Sequence, residues 1–209
     1  MVGVVALVSI LGALLVGAIS PGPSFVFVVR TAVAQSRREG LAAAFGMGVG
    51  ACLFGVLAVV GLRTLMADGG WLYQLLQVAG GLYLVYLAWR IWRGASAPVA
   101  VQHQAARAAD AGRAFWLALG TQLSNPKIIA VFGAVFAALL PANPPAWLYV
   151  ALPPLIFVQE TAWYALVALA FSAQRPRSAY LGAKLWLDRG AAVVIGGLGL
   201  RLIYEAVRP

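Results

Sequence analysis

Four residues, Ser20-Pro21-Gly22-Pro23, constrain this chain more than any others. They interrupt a run that is otherwise apolar from Val2 to Val29. Each proline removes a backbone donor and clashes with the preceding turn, and glycine adds backbone freedom, so an α-helix cannot continue through them. A second interruption, Ser124-Asn125-Pro126-Lys127, sits inside another apolar run. In a bilayer, unpaired backbone is tolerated only where it is buried in protein or lines a wet cavity. Two breaks in corresponding positions therefore point to a site, and to a small membrane carrier built around it.

Composition supports the membrane reading. Of 209 residues, 63% are hydrophobic and 10% charged, against about 25% charged in a soluble domain. The apolar blocks exceed the ~18 residues that mark a membrane helix. The net charge of +9 does not indicate nucleic acid: the basic residues fall in short segments between apolar blocks, where they read as topology signals. Cys52 is the only cysteine, so no disulfide or thiol pair forms within the chain. His103 is the only histidine and lies in a polar, Ala-rich linker; no cluster of metal ligands is present, and no cofactor is expected. No Ser/His/Asp or metal-ligand arrangement is available to run a reaction, so the chain does not read as an enzyme. No Lys or Arg precedes Arg30, so the first apolar stretch lacks the basic start of a signal peptide and reads as a membrane helix.

The sequence predicts an all-α membrane protein with six transmembrane helices in a single domain over 1–209. The expected spans are about 2–33, 41–62, 71–92, 114–140, 147–171 and 191–207, with the first and fourth broken. Gly46, Gly48, Gly50 and Gly55 in the second span let helices approach closely. Trp71, Tyr73, Trp89 and Trp92 around the third suit headgroup interfaces. Residues 94–113 read as a mobile loop, and Pro141 to Pro145 as a tight turn. Residues 174–190 mix basic and apolar side chains and read as a segment lying on the membrane surface.

Basic residues crowd the first, third and fifth connections, with Arg37, Arg38, Arg93, Arg107, Arg113, Arg175, Arg177, Lys184 and Arg189. The second connection has Arg63 alone and the fourth has none. The positive-inside rule then places both termini outside the cytoplasm. Arg201 and Arg208 oppose this count, but Glu205 stands four residues from Arg201 and can pair with it. The two breaks, with Gly80-Gly81 in the third span and Gly196-Gly197 in the sixth, fall in matching order. Repeat one covers about 1–93 and repeat two about 114–209. Three spans per half is an odd number, so a duplicated half inserts upside down, giving an inverted repeat with its site near the midplane.

A helix restarting after a break presents free N–H groups and partial positive charge. Ser20 and Pro21 suit the N-cap and first-turn positions, and Ser124 or Asn125 with Pro126 repeats the arrangement. Two such ends facing one cavity suit a carboxylate. The competing reading is a pair of kinks that only shape packing. Lys127 lies roughly 20 Å from either end of its span at 1.5 Å per residue, too deep to reach the headgroups. Glu160 reads as the only acid deep in a span. The two either line a substrate cavity, one facing a carboxylate and the other an ammonium or a coupling proton, or form a structural ion pair. Gln122, Thr121 and Gln159 flank the same level as further hydrogen-bonding candidates, with Trp163 and Tyr164 as walls.

The chain resembles the LysE/RhtB amino-acid exporters. The resemblance rests on Ser20-Pro-Gly-Pro23, the glycine-rich second span, Gly80-Gly-Leu-Tyr-Leu-Val-Tyr-Leu-Ala88 and Ser124-Asn-Pro-Lys127, in matching order over nearly the whole length. It implies a multi-pass protein of the bacterial inner membrane that exports amino acids or close derivatives, driven by the proton gradient, and that forms a homodimer. The expected substrate-binding set is Ser20, Pro21, Gly22, Pro23, Gln122, Ser124, Asn125, Pro126, Lys127 and Glu160. The alternatives are a membrane assembly or sensor protein that transports nothing, and efflux of another small solute.

Overall fold

A computed structural model describes residues 2–67, 71–96, 110–141, 143–172 and 174–208, all helical apart from turns and short connections. The helices are α1 (Val2–Ile19), α2 (Pro23–Ala34), α3 (Arg37–Ala67), α4 (Trp71–Gly94), α5 (Ala111–Leu123), α6 (Pro126–Leu139), α7 (Ala146–Phe171) and α8 (Gln174–Val207). By length and composition, α1, α3, α7 and α8 can each cross a membrane. The pair α5 and α6, bent by 56° at its break, meets the same test only when the two are taken together, as one broken span or a re-entrant loop. The residues expected as the third span fall within α4, which is not among these candidate spans. The loop residues 97–109, including His103 and Arg107, lie outside the described residues, as do Ala142 of the turn and the side chains of Arg63, Trp71, Tyr73, Arg175 and Arg177.

Both breaks form where the prolines and glycine stand, but the first restarts later than Ser20 and Pro21 suggested. Pro23 takes the first turn of α2, and the cap is Gly22 in extended backbone. Proline fits that position because its missing N–H would have no intrahelical partner there. At the second break Asn125 is the cap and Pro126 opens α6; the Asn125 side chain accepts from the Lys127 backbone N–H at 3.0 Å. The first break is uneven, with 18 residues before it in α1 and 12 after it in α2. At 1.5 Å per residue α1 alone reaches about 27 Å, most of a hydrocarbon core.

The segment expected to lie on the membrane surface does not form a separate element. Residues 174–190 are the first half of α8, a single 34-residue helix. Lys184 and Asp188 anchor it to the bundle: the Lys184 ammonium donates to the carbonyls of Gly94 at 3.1 Å and Ala95 at 2.9 Å, and to Asp188 Oδ2 at 2.8 Å. The lysine thereby supplies donors to the C-terminal end of α4, where carbonyls lack helical partners.

Lipid is as apolar as leucine, so small residues and buried hydrogen bonds hold such a bundle together. The glycines of α3 divide their work by spacing. A β-carbon at Gly46 would lie 2.5 Å from the Phe115 carbonyl oxygen, and one at Gly50 would lie 2.7 Å from Gln122 Cγ, so this face meets α5. Gly48 and Gly55 face α7, against Thr161 and Ile156. Where α4 crosses α8, a β-carbon on Gly81 would stand 2.7 Å from the Gly199 oxygen, and the reverse distance is also 2.7 Å. Ser36 caps the start of α3: its hydroxyl accepts from the Arg38 N–H and donates to Glu39.

Two apolar cores result. One contains Ile10, Leu14, Ala51, Ile128, Phe132 and Ile156; the other contains Phe25, Met47, Ala118, Tyr164 and Phe171. Along each contributing span the switch between them falls on a polar or glycine stretch. It falls at Ser20 and Ser24 in the first span, Gly48 and Gly50 in α3, Gln122 to Lys127 at the second break, and Glu160 in α7.

Candidate functional site

The two breaks meet. The Lys127 ammonium donates to the Ser20 carbonyl at 2.7 Å. That carbonyl lies just past α1, where the chain's interruption removes its normal helical donor. Gly22 makes room for the lysine, since a β-carbon there would lie 3.2 Å from Lys127 Cδ. Ser24 in the first turn of α2 donates to Gln122 Oε1 at 2.6 Å and accepts from Asn125 Nδ2 at 2.9 Å. Ser20, Ser24, Gln122, Asn125 and Lys127 are all buried. The junction is thus a continuous hydrogen-bonded seam between residues about a hundred positions apart.

Beside the seam lies a cavity of about 240 Å³. It is smaller than sites for drug-sized ligands, about 300–1,000 Å³. Ser20, Pro21, Gly22 and Pro23 form one wall, and Asn125, Pro126 and Lys127 another. The rest comes from α4 and α8: Tyr83, Leu87, Arg90, Ile91, then Lys184 and Asp188.

Seven of the ten expected binding residues therefore share this cavity. Three do not line it. Gln122 stands behind the seam, bonded to Ser24. Ser124 is exposed and turns its hydroxyl back to the Gly120 carbonyl at 2.7 Å. Glu160 is 1% exposed, and its Oε2 has no hydrogen-bond partner among the described residues. Lys127 and Glu160 are not ion-paired; the ion pairs among the described residues are Lys184–Asp188 and Arg201–Glu205. The structural-pair expectation is corrected for that reason: the lysine reaches across to Ser20 instead.

The weaker candidates also stand elsewhere. Gln159 and Trp163 donate to α1 carbonyls, of Leu11 and Ala18, both at 3.1 Å. Thr121 bonds its own helix at Leu117, and Tyr164 sits in the second apolar core. The sequence reading missed the other charged wall. Glu160 is not the only buried acid: Asp188 is 3% exposed and lines the cavity. Its spacing of four from Lys184 was the available signal, since such pairs share a helix face.

The cavity carries Arg90, Lys127 and Lys184 against the single acid Asp188 among its lining residues, with the N-termini of α2 and α6 adding positive character. Such a place attracts an anionic group, while its size restricts the ligand to a small one. Among the described residues no group of three potential metal ligands clusters.

Comparison with known proteins shows the family. The profile of the family described as LysE type translocator matches residues 15–206. The chain is 35% identical over 191 residues to a threonine efflux protein of Escherichia coli (strain K12), covering 90% of this chain and 93% of the relative. It is 31% identical over 188 residues to the uncharacterized membrane protein YahN of the same organism, covering 90% and 84%. A homoserine/homoserine lactone efflux protein of Salmonella typhimurium is 32% identical over 127 residues, covering 60% of this chain and 61% of the relative. No solved structure matches. With the family profile spanning both breaks and the cavity, the chain belongs to the LysE family of membrane transport proteins, and it is a transporter rather than an enzyme.

Proposed function

We propose that this protein exports amino acids or close derivatives across the bacterial inner membrane by alternating access. The observation that carries the reading is the meeting of the two breaks at Lys127, beside a small cavity with positive character. The efflux relatives supply the substrate class. The substrate carboxylate lies at Lys127 and Asn125, near the positive ends of α2 and α6. Glu160, buried with an idle oxygen, carries the coupling proton.

The six crossings form two inverted triplets: α1 with α2, α3 and α4, then α5 with α6, α7 and α8. In support, α1 packs on α6 while α2 packs on α5, α3 packs on α7, and α4 packs along α8. Both termini are outside the cytoplasm. The Arg201–Glu205 pair at 2.7 Å supports this by neutralising one arginine that opposed the count. In that orientation the wall made by Arg90, Lys184 and Asp188 is the cytoplasmic side of the cavity, as a loading exporter requires. The breaks serve as hinges. Two copies associate as a homodimer, as the family resemblance implies; the mass of the nanodisc-embedded protein tests this.

Counterflow of labelled amino acids in proteoliposomes tests the reading. Wild-type protein exchanges at least one neutral amino acid, and Glu160→Gln abolishes proton-driven accumulation while the protein stays folded. Properly inserted protein that exchanges none of a broad panel contradicts the carrier reading. Loss of folded Glu160→Gln protein assigns the acid a structural role.

A further inference from the structure

Asp188 has one carboxylate oxygen engaged and one idle. Oδ2 accepts from Lys184 at 2.8 Å. Oδ1 is buried, with no hydrogen-bond partner among the described residues, on a side chain 5% exposed that lines the cavity. The geometry points to Asp188 as the receptor for the substrate's α-ammonium group, in a cavity that takes zwitterions with uncharged side chains and turns away those with a cationic one. This rests on the reading of the cavity as the transport site.

An ammonium donates three hydrogen bonds and a carboxylate accepts through both oxygens. Lys184 already has its donors committed to Gly94, Ala95 and Asp188, so it holds the aspartate in place and leaves Oδ1 available. Glu160 was the sequence-based candidate for this role, but it does not line the cavity. The balance of charge then sets specificity. A zwitterion places its carboxylate at Lys127 and its ammonium at Asp188, leaving the local balance unchanged. A second cation on the side chain finds no second acid among the lining residues and faces Arg90, Lys127 and Lys184. Such an unpaired charge is a repulsive element against basic amino acids.

Calorimetric titration of the full chain in nanodiscs tests this with L-threonine, N-acetyl-L-threonine and L-lysine. Wild type binds threonine and binds the other two at least tenfold more weakly. Asp188→Asn lowers threonine affinity about ten- to a hundredfold, as loss of a charge-assisted contact does, and it removes the discrimination between threonine and its N-acetyl derivative. Should Asp188→Asn fail to fold, the double variant Lys184→Gln with Asp188→Asn keeps a hydrogen-bonding pair without buried charge and reads the same ratio. Should both fail to fold, the wild-type ratios decide. Three results overturn the inference while leaving the transport reading standing. These are wild type binding N-acetyl-threonine as well as threonine, wild type binding lysine as well as threonine, and a variant losing affinity for threonine and its N-acetyl derivative in parallel. Wild type that binds no amino acid overturns the transport reading as well.

Discussion

Replacing Lys127 by Met separates a lysine kept for transport from one kept for stability. Methionine has a similar length and no charge. The substitution deletes the 2.7 Å bond to the Ser20 carbonyl, a charged hydrogen bond worth about 1.5–3 kcal/mol. It also relieves the burial of a lysine that is 8% exposed and has no ion-pair partner among the described residues. Desolvating such a charge costs several kcal/mol, and apolar replacement of buried charges is often neutral or stabilising. The two contributions oppose each other, so unfolding free energy should change by no more than about 1 kcal/mol. Transport has no such offset. A carboxylate that loses a charged donor loses about 1.5–3 kcal/mol, or about ten- to 150-fold in affinity. Reversible unfolding in mixed micelles gives the first quantity and threonine counterflow the second. Counterflow at the wild-type rate, or a loss of several kcal/mol in stability, would refute the reasoning.

The seam yields a graded series. Asn125→Ala removes both the cap on Lys127 N–H and the bond to Ser24 and should cost about 2 kcal/mol, whereas Asn125→Ser keeps a cap and should cost about half that, both read by unfolding. Gly46→Ala drives a methyl against the Phe115 backbone oxygen, which cannot swing aside as a side chain would, so it should lower stability by about 1–3 kcal/mol in the same assay. Lys184→Met strands a buried aspartate and should cost about 3–5 kcal/mol, and adding Asp188→Leu should recover most of that. Failure of the double variant to recover would show that the pair itself, rather than its unpaired charge, governs folding.

What could be read from the chain beforehand was local chemistry. Proline, glycine and asparagine at 20–23 and 124–127 announce broken helices because their effects act within one turn. Asn125 and Pro126 take the expected cap positions for that reason. Ser20 does not, since Pro23 fits the first turn better and leaves the cap to Gly22. The small residues of α3 were legible as contact points, but not that Gly46 and Gly50 face α5 while Gly48 and Gly55 face α7. Nor could the partner of Lys127 be read, because the Ser20 carbonyl is 107 positions away. Two features were present in the sequence and passed over. Ser36 with Glu39 three residues on has the recognisable spacing of a helix start, and Lys184 with Asp188 has the spacing of a helical pair. The second was hidden by a run of basic and apolar residues that resembles a surface helix.

The central claim, that the substrate sits where the two breaks meet, is tested most directly by protection from labelling. With Cys52→Ala as background, Tyr83→Cys places a thiol on the cavity wall and Gln35→Cys places one in the exposed connection between α2 and α3. The rate of modification by a small hydrophilic thiol reagent is measured with and without saturating threonine. Threonine should slow labelling at position 83 and leave position 35 unchanged. Equal rates at position 83, in protein that still exchanges threonine, would place the substrate elsewhere.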